Sequence, residues 1–227
     1  MSKAIMILCE ADQSHIFEQL EIFYDILKHR ILASFNSIDE EAKEVESNRL
    51  KELDEKFNPN YMDGYTMTED AFSKGGEYYA MHTQMEQSLL NISIVWLYHL
   101  FEQQLFLMSR KIIQDFDHKQ RDAMQSIEEC LKLKTVKLKS WEKIKELKHI
   151  ANSIKHAEGR SLEKLKELRP DLLQDSFMGI TTEVNMPLFE NEIKISSKDL
   201  KAYHDEIVNF WNDFFVKVKI MERITLC

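Results

Sequence analysis

Hydrophobic side chains recur every three or four positions along most of the chain, which is the spacing of an α-helix. The longest such runs cover about residues 10–36, 77–116, 139–157 and 198–223. The run 77–116 lacks proline and glycine and follows a break or kink expected at Gly75-Gly76, so it predicts one long central helix. The wide apolar arc of this helix consists of Leu90, Ile94, Leu97, Phe101, Met108 and Ile112.

Shorter and less regular segments separate these runs. Helices are predicted at about 119–133 and from Ser161 to just before Pro170, where a helix must end. The highly charged segment 39–66 is expected to form an exposed helix and a loop that project from the body. Near 183–195 the pattern is compatible with a short β-hairpin.

The composition supports an all-α protein. Only 5 glycines and 3 prolines occur in 227 residues, whereas β-sandwiches and barrels need turn residues about every 8–12 positions. Glycine-rich phosphate loops and the GxSxG motif are absent from the sequence, so nucleotide-hydrolysing and serine-hydrolase chemistry have no support. We therefore predict a single helical bundle over residues 1–227, with no cofactor.

Several features favour a cytoplasmic protein. The three cysteines, Cys9, Cys130 and Cys227, are far apart and odd in number, which suits a reducing compartment. The apolar run that ends before Glu10 is too short for the core of a signal peptide. The most apolar stretch, 89–108, is interrupted by polar residues and is typical of a buried helix, not a membrane span.

The net charge of −9 is distributed unevenly along the chain. Between Cys130 and Pro170 there are 12 lysines and arginines against 5 aspartates and glutamates, a local balance of +7, so the remaining residues carry −16. Such asymmetry indicates one basic working surface on an acidic body, although lysine-rich helices are as often merely solvated.

The basic segment contains the helix at 139–157, whose two sides differ in chemistry. Leu147, Ile150 and Ile154 lie on the side expected to pack on the core. At about 100° per residue, the polar residues of the opposite side lie within about 60° of Asn152. This polar face consists of Lys145, Lys148, His149, Asn152, Lys155 and His156.

Such a face carries the groups that bind and cleave a phosphodiester. Lysines bind the phosphate and stabilise the charge that develops on it, and a histidine can transfer a proton near neutral pH. An amide can orient the imidazole or the ribose. RNA supplies its own nucleophile, the 2′-hydroxyl, so no metal is needed. On spacing alone, a solvated basic face is the commoner explanation of the same pattern.

A metal site is not predicted on this helix. His149 and His156 are the two histidines of its polar face, no carboxylate shares that face, and no HExxH motif occurs in the chain. Two histidines can begin a metal site, but they cannot complete one without distant residues.

Residues 147–159, LKHIANSIKHAEG, resemble the motif helix of the HEPN superfamily. These small α-helical domains, many of them dimeric, occur in bacterial toxin–antitoxin and anti-phage systems, and many are metal-independent ribonucleases. The family signature is an arginine, a polar residue directly after it, and a histidine four to six residues beyond the arginine. Asn152 and His156 match the polar residue and the histidine. The preceding helix, IVWLYHLFEQQL, is also similar, with Glu102 as its acidic residue, and the resemblance covers about residues 80–175.

The chain departs from the family signature at the arginine. That position is Ala151, and the looser spacing falls on His149, which is again not an arginine. Arginine is permanently charged and binds phosphate in a bidentate fork, which lysine does less well. Either Lys148 or Lys155 takes over the charge, or the domain is a relative that does not cleave RNA.

The resemblance therefore implies two alternative functions. The first is a HEPN-like, metal-independent endoribonuclease that acts as a toxin or an abortive-infection effector, with His156, Asn152 and Glu102 as catalytic residues. The second is a non-catalytic helical protein that dimerises and binds RNA or a protein partner, such as an antitoxin or another defence-system component. RNA and a second copy of the chain are the expected partners, and no membrane is expected. The residues expected to bind RNA phosphate are Lys145, Lys148, His149 and Lys155.

Overall fold

The structure is a computed structural model. It describes residues 5–7, 10–58, 63–114, 116–117, 122–133, 138–156, 159–173, 193–218, 220–222 and 224–225. The hairpin expected near 183–195 lies outside these residues, except for its last three positions.

Seven α-helices account for most of the described residues. They are α1 (Glu10–Ile26), α2 (Ile38–Glu55), α3 (Gly64–Ile112), α4 (Ala123–Leu133), α5 (Trp141–His156), α6 (Arg160–Leu168) and α7 (Ser197–Val218). A π-helical turn at Leu27–Ile31 and a 3₁₀ turn at Leu32–Phe35 continue α1, and a further 3₁₀ turn at Pro170–Leu172 follows α6. The prediction of an all-α protein with one long central helix is confirmed.

Two pairs of very short strands accompany the helices. Strand β1 (Ile5–Ile7) pairs antiparallel with β3 (Ile220–Glu222), with Ile5 opposite Glu222. Strand β2 (Ile113–Gln114) pairs in parallel with β4 (Ile224–Thr225). Strands of two or three residues are too short to show an alternation of apolar and polar positions, so the hydrophobic pattern could not predict them.

Helix α3 spans 49 residues, which is about 73 Å at 1.5 Å per residue. The break expected at Gly75-Gly76 is wrong, because the helix continues through both glycines. A Cβ at Gly75 would lie 2.9 Å from the carbonyl oxygen of Ala42 and 3.1 Å from Cβ of Glu46, both on α2. Gly75 therefore allows α2 to approach α3 closely. No helix in the described part of the chain has the length and hydropathy of a membrane span.

The adjacent glycines provide a matched pair of substitutions. Gly75→Ala is expected to destabilise the helix pair by about 1–3 kcal/mol, because the new methyl group meets backbone that cannot rotate away. Gly76→Ala is expected to stabilise it by up to about 1 kcal/mol, because nothing lies within 4 Å of its Cβ position and alanine favours the helix. Amide hydrogen exchange of residues 38–55 measures both effects. Equal exchange in the two variants would contradict this account of Gly75.

The chain divides into two compact units. One unit comprises residues 25–89, and the other comprises residues 1–24 and 90–227. In the smaller unit α2 and the first part of α3 run antiparallel. Arg49 forms an ion pair with Asp70 at 2.7 Å, and the Tyr78 hydroxyl donates to Glu41 at 2.6 Å.

A cluster of aromatic side chains forms the centre of the larger unit. Phe101 of α3 meets Phe210 of α7 edge to face at a centroid distance of 5.1 Å, and Trp141, the first residue of α5, stacks on Phe210 at 5.4 Å. The indole N–H of Trp211 donates to the Gln104 side chain at 2.8 Å, so this buried polar group is satisfied. The cluster therefore anchors the start of α5 to α7, which in turn packs against α3.

Candidate functional site

Packing determines which side of α5 faces solvent. Ile144, Leu147 and Ile150 are at most 1% exposed, so their side of the helix lies in the core. The opposite side is the polar face deduced from the sequence. After α5 the chain turns at Gly159, whose φ of +113° is a conformation that other residues rarely adopt, and α6 begins.

The last turn of α5 carries the most accessible members of the polar face. Lys155 and His156 are exposed, and Asn152, one turn before His156, is half-buried. Within the described residues, neither Lys155 nor His156 is in an ion pair. An amide, an ammonium group and an imidazole are therefore open to a ligand at this end of the helix.

The other two lysines of the face already have carboxylate partners. Lys148 Nζ donates to Asp122 Oδ2 at 2.9 Å. Lys145 Nζ lies 2.9 Å from Glu142 Oε1 and 3.6 Å from Glu128 Oε1. The hydrogen bond that Lys145 donates to Glu142, and then the charge of Glu128, raise the pKa of Lys145. The face is thus less basic than the sequence of α5 alone predicts, because α4 and the residue before it bring carboxylates to it.

Asp122 is the residue that the sequence analysis missed. Its Oδ1 accepts the backbone N–H groups of Met124 at 2.8 Å and of Gln125 at 3.2 Å, which caps the start of α4, while Oδ2 binds Lys148. Burial opposes its ionisation, but these hydrogen bonds and the charge of Lys148 lower its pKa overall. An aspartate is a typical N-cap, yet a helix predicted from about 119 placed Asp122 inside the helix.

Glu102 lies on α3 near Tyr98, and Tyr98 is also near Asp122, the residue that binds Lys148. Burial, and then the charges of Glu102 and Asp122, raise the pKa of Tyr98, so this buried phenol stays protonated. The Tyr98 hydroxyl donates to the sulfur of Met124 at 3.4 Å. Glu102 is therefore near the start of α4. No hydrogen bond or ion pair joins it to Asn152 or His156 within the described residues.

His149 is held in a neutral form on the flank of the face. Burial lowers the pKa of its imidazole, and the nearby charges of Lys148 and Lys164 lower it further. Its Nδ1 atom is buried and has no hydrogen-bond partner among the described residues. A neutral imidazole adds no positive charge near pH 7, so His149 contributes a polar contact and not an electrostatic one.

Ala151, at the position where the resemblance would place an arginine, is 0% exposed. A longer charged side chain there would have to displace core atoms or lose its hydration, and both are costly. The position therefore cannot present a guanidinium to a phosphate in solution without rearrangement. Because α5 contains no arginine, its permanent positive charges are those of its lysines.

A network of charged side chains behind α5 fixes its orientation. The guanidinium of Arg169, which is 19% exposed, donates to Glu146 of α5 at 3.2 Å and to Asp199 of α7 at 2.9 Å. It also donates to Asp171 at 2.7 Å and to the Tyr203 hydroxyl at 2.8 Å. Tyr203 in turn donates to Glu146. One arginine thus ties α5 and α7 to the segment after α6.

Glu146 and His149 have the spacing of a Glu-x-x-His metal motif, but the structure uses them differently. Both Glu146 oxygens accept hydrogen bonds from Lys143, at 2.8 and 3.0 Å, and Arg169 and Tyr203 bind the same carboxylate. Glu146 is therefore committed to the network. No group of three or more metal-ligating side chains converges in the described part of the chain.

Comparison with known proteins adds no relative. No family model matches the chain, no curated protein is similar to it, and no solved structure matches its fold.

Proposed function

We propose that the chain is a HEPN-like, metal-independent endoribonuclease that acts as a toxin or anti-phage effector in the cytoplasm. One observation carries this proposal. Asn152, Lys155 and His156 occupy the accessible last turn of α5, where an amide, an ammonium group and an imidazole can reach the same ligand. The resemblance of residues 147–159 to the HEPN motif helix supports RNA as that ligand.

The proposed reaction uses the 2′-hydroxyl of RNA as the nucleophile. His156 accepts the proton of this hydroxyl as its oxygen attacks the adjacent phosphorus and the bond to the 5′-oxygen breaks. Lys155 stabilises the additional negative charge on the phosphate oxygens, and Asn152 orients the imidazole or the ribose. The departing 5′-oxygen takes up a proton, which leaves a 2′,3′-cyclic phosphate and a 5′-hydroxyl.

A second candidate is a non-catalytic protein that binds RNA or a protein partner. Two observations favour it: Ala151 is buried where the family has its arginine, and Asp122 already neutralises Lys148. Incubation of the purified chain with labelled single-stranded RNA in EDTA separates the two candidates. Cleavage supports the ribonuclease, whereas salt-sensitive binding without cleavage supports the second candidate.

The ion pairs of the face predict unequal contributions from its three lysines. Lys155→Gln is expected to reduce the slope of log K against log salt concentration by about 0.7–0.9, the value for one phosphate contact. Lys145→Gln and Lys148→Gln are expected to change it less, because these lysines are already paired. Asp122→Asn is expected to increase RNA affinity by releasing Lys148. Filter binding from 50 to 200 mM salt measures these slopes, and equal effects of all three lysines would contradict the prediction.

The proposed enzyme is expected to be a two-fold homodimer. A HEPN-like motif helix supplies half of a cleft that two copies share, so the α5 helices should lie near the dimer axis. The second His156 would then be available to protonate the leaving 5′-oxygen. Sedimentation at tens of micromolar protein measures the assembly state. A monomer at that concentration would limit the free energy of dimerisation to about 7 kcal/mol or less and would contradict the expectation.

A further inference from the structure

The first part of α3, within the unit 25–89, carries a stripe of exposed aromatic side chains. Tyr65, Phe72 and Tyr79 are 77%, 68% and 45% exposed. They are seven residues apart, which places them within about 20° of Phe72 on the helix. Met67 and Ala71, by contrast, are buried. Large rings repeated along one exposed helical face are unusual, because a monomer gains nothing from leaving them in water.

On α3 itself, acidic residues lie nearer to this aromatic stripe than the lysine of the same segment does. Glu69 and Glu86 are within about 60° of Phe72 on α3, whereas Lys74 lies on the opposite side of the helix. Residues 25–89 as a whole contain 14 aspartates and glutamates against 7 lysines and arginines, a net charge of −7. The stripe thus combines apolar rings with a negative potential.

We propose that the aromatic stripe of α3 docks a basic amphipathic helix of a partner protein. The rings fit a helix with apolar side chains at the same seven-residue spacing, and the acidic surroundings select lysines and arginines at its edges. Docking of a second copy of the chain on this surface is disfavoured, because it would bring together two units that each carry a net charge of −7. Nucleic acid and anionic membranes carry the same sign of charge and are repelled.

The length of the stripe sets the size of the partner. The 15 residues from Tyr65 to Tyr79 span about 21 Å, so an occupant of about four helical turns covers all three rings. One helix on one face buries less than the ~1,000 Å² of a stable interface, so we infer weak, reversible docking, with a Kd on the order of micromolar.

The test uses a labelled 18-residue peptide with leucines at helical spacing and lysines elsewhere, added to the full chain in a fluorescence anisotropy titration. The parent is expected to bind it at least about tenfold more tightly than a peptide with glutamates in place of the lysines. The variant Tyr65→Ala/Phe72→Ala/Tyr79→Ala is expected to weaken binding at least about tenfold. Glu69→Gln/Glu86→Gln is expected to weaken it about threefold at low salt.

The matched control is Met81→Ala/Met85→Ala, which removes exposed apolar side chains from the opposite face of α3 and should leave binding within about twofold of the parent. Circular dichroism checks that helix content is retained, and Phe72→Ala alone replaces the triple variant if it is not. Unchanged binding by the aromatic variant, an equal loss in the methionine control, or equal binding of the glutamate peptide would overturn the proposal. Conversion of a dimeric parent to a monomer by the aromatic variant would also overturn it.

Discussion

Replacing His156 with alanine is expected to abolish detectable RNA cleavage and to relieve toxicity on expression. Loss of general acid–base catalysis typically costs about 10²–10⁴-fold in rate. His156 is exposed on the last turn of α5, so its removal leaves no cavity and the fold should be retained. Asn152→Ala is expected to have the same effect less severely, because an orienting amide does not itself move the proton.

The control for this substitution is His29→Ala, in the other unit of the chain. The His29 side chain is 61% exposed, so the two variants remove comparable surface imidazoles. Cleavage by the parent should persist in EDTA and leave a 2′,3′-cyclic phosphate, because the 2′-hydroxyl is the nucleophile. Cleavage by His156→Ala at the parental rate would show that the catalytic assignment is wrong. No cleavage by the parent would instead favour the binding protein.

Replacing Arg169 with alanine is expected to lower the free energy of unfolding by about 2–3 kcal/mol. The substitution removes the guanidinium that Glu146 and Asp199 both bind, and both carboxylates are partly buried. Arg160→Ala, at an exposed position on α6, should change stability by less than about 0.5 kcal/mol. Urea denaturation followed by circular dichroism measures both variants. Equal stability of the two would show that the network does not hold α5 in place.

The same network predicts a dependence of stability on pH. Arg169 lowers the pKa of Asp171 through its hydrogen bonds. Burial opposes ionisation of Glu146 and Asp199, but hydrogen bonds from Lys143 and Tyr203 to Glu146, and from Ser196 to Asp199, lower both pKa values overall. Carboxylates with lowered pKa values stabilise the fold above their unfolded pKa, and this stability is lost as the pH falls through the folded values.

The loss of folding stability in acid should therefore appear mainly below about pH 5. In Arg169→Ala the folded pKa values move back toward the unfolded ones, so the fall in melting temperature between pH 7 and pH 3 should be smaller than in the parent. An equal fall in both proteins would assign the acid sensitivity to other carboxylates.

Repetition along the chain is what made the helices predictable. The apolar arc deduced for 77–116 is buried in the structure, from Leu90 to Ile112. Within the run 198–223, apolar residues such as Ile207 and Phe210 are buried as well. A helix must place residues three and four apart on one side, so an apolar period reports both the element and its inner face. The same reasoning failed at Gly75. The sequence does not distinguish a glycine that ends a helix from one that lets a neighbouring helix approach closely.

The candidate site was predictable only as a face of one helix. The spacing of apolar residues within α5 was enough to predict which side of the helix is polar. The structure places Leu147 and Ile150 in the core, as that spacing requires. The electrostatics of the face did not follow from it. Lys148 is neutralised by Asp122, which is 26 positions away, and no local pattern relates two residues at that separation.

The sequence by itself determined that this protein is helical, where its main helices lie and which side of each is apolar. These properties depend on contacts between residues three or four positions apart, which the order of residues displays directly. Only the tertiary structure decided which lysines remain open to a ligand and that Ala151 is buried. It also decided that Arg169 ties α5 to α7, where it binds Tyr203, a residue 34 positions further along the chain. Charges act through space and not along the chain, so their partners depend on how the helices pack.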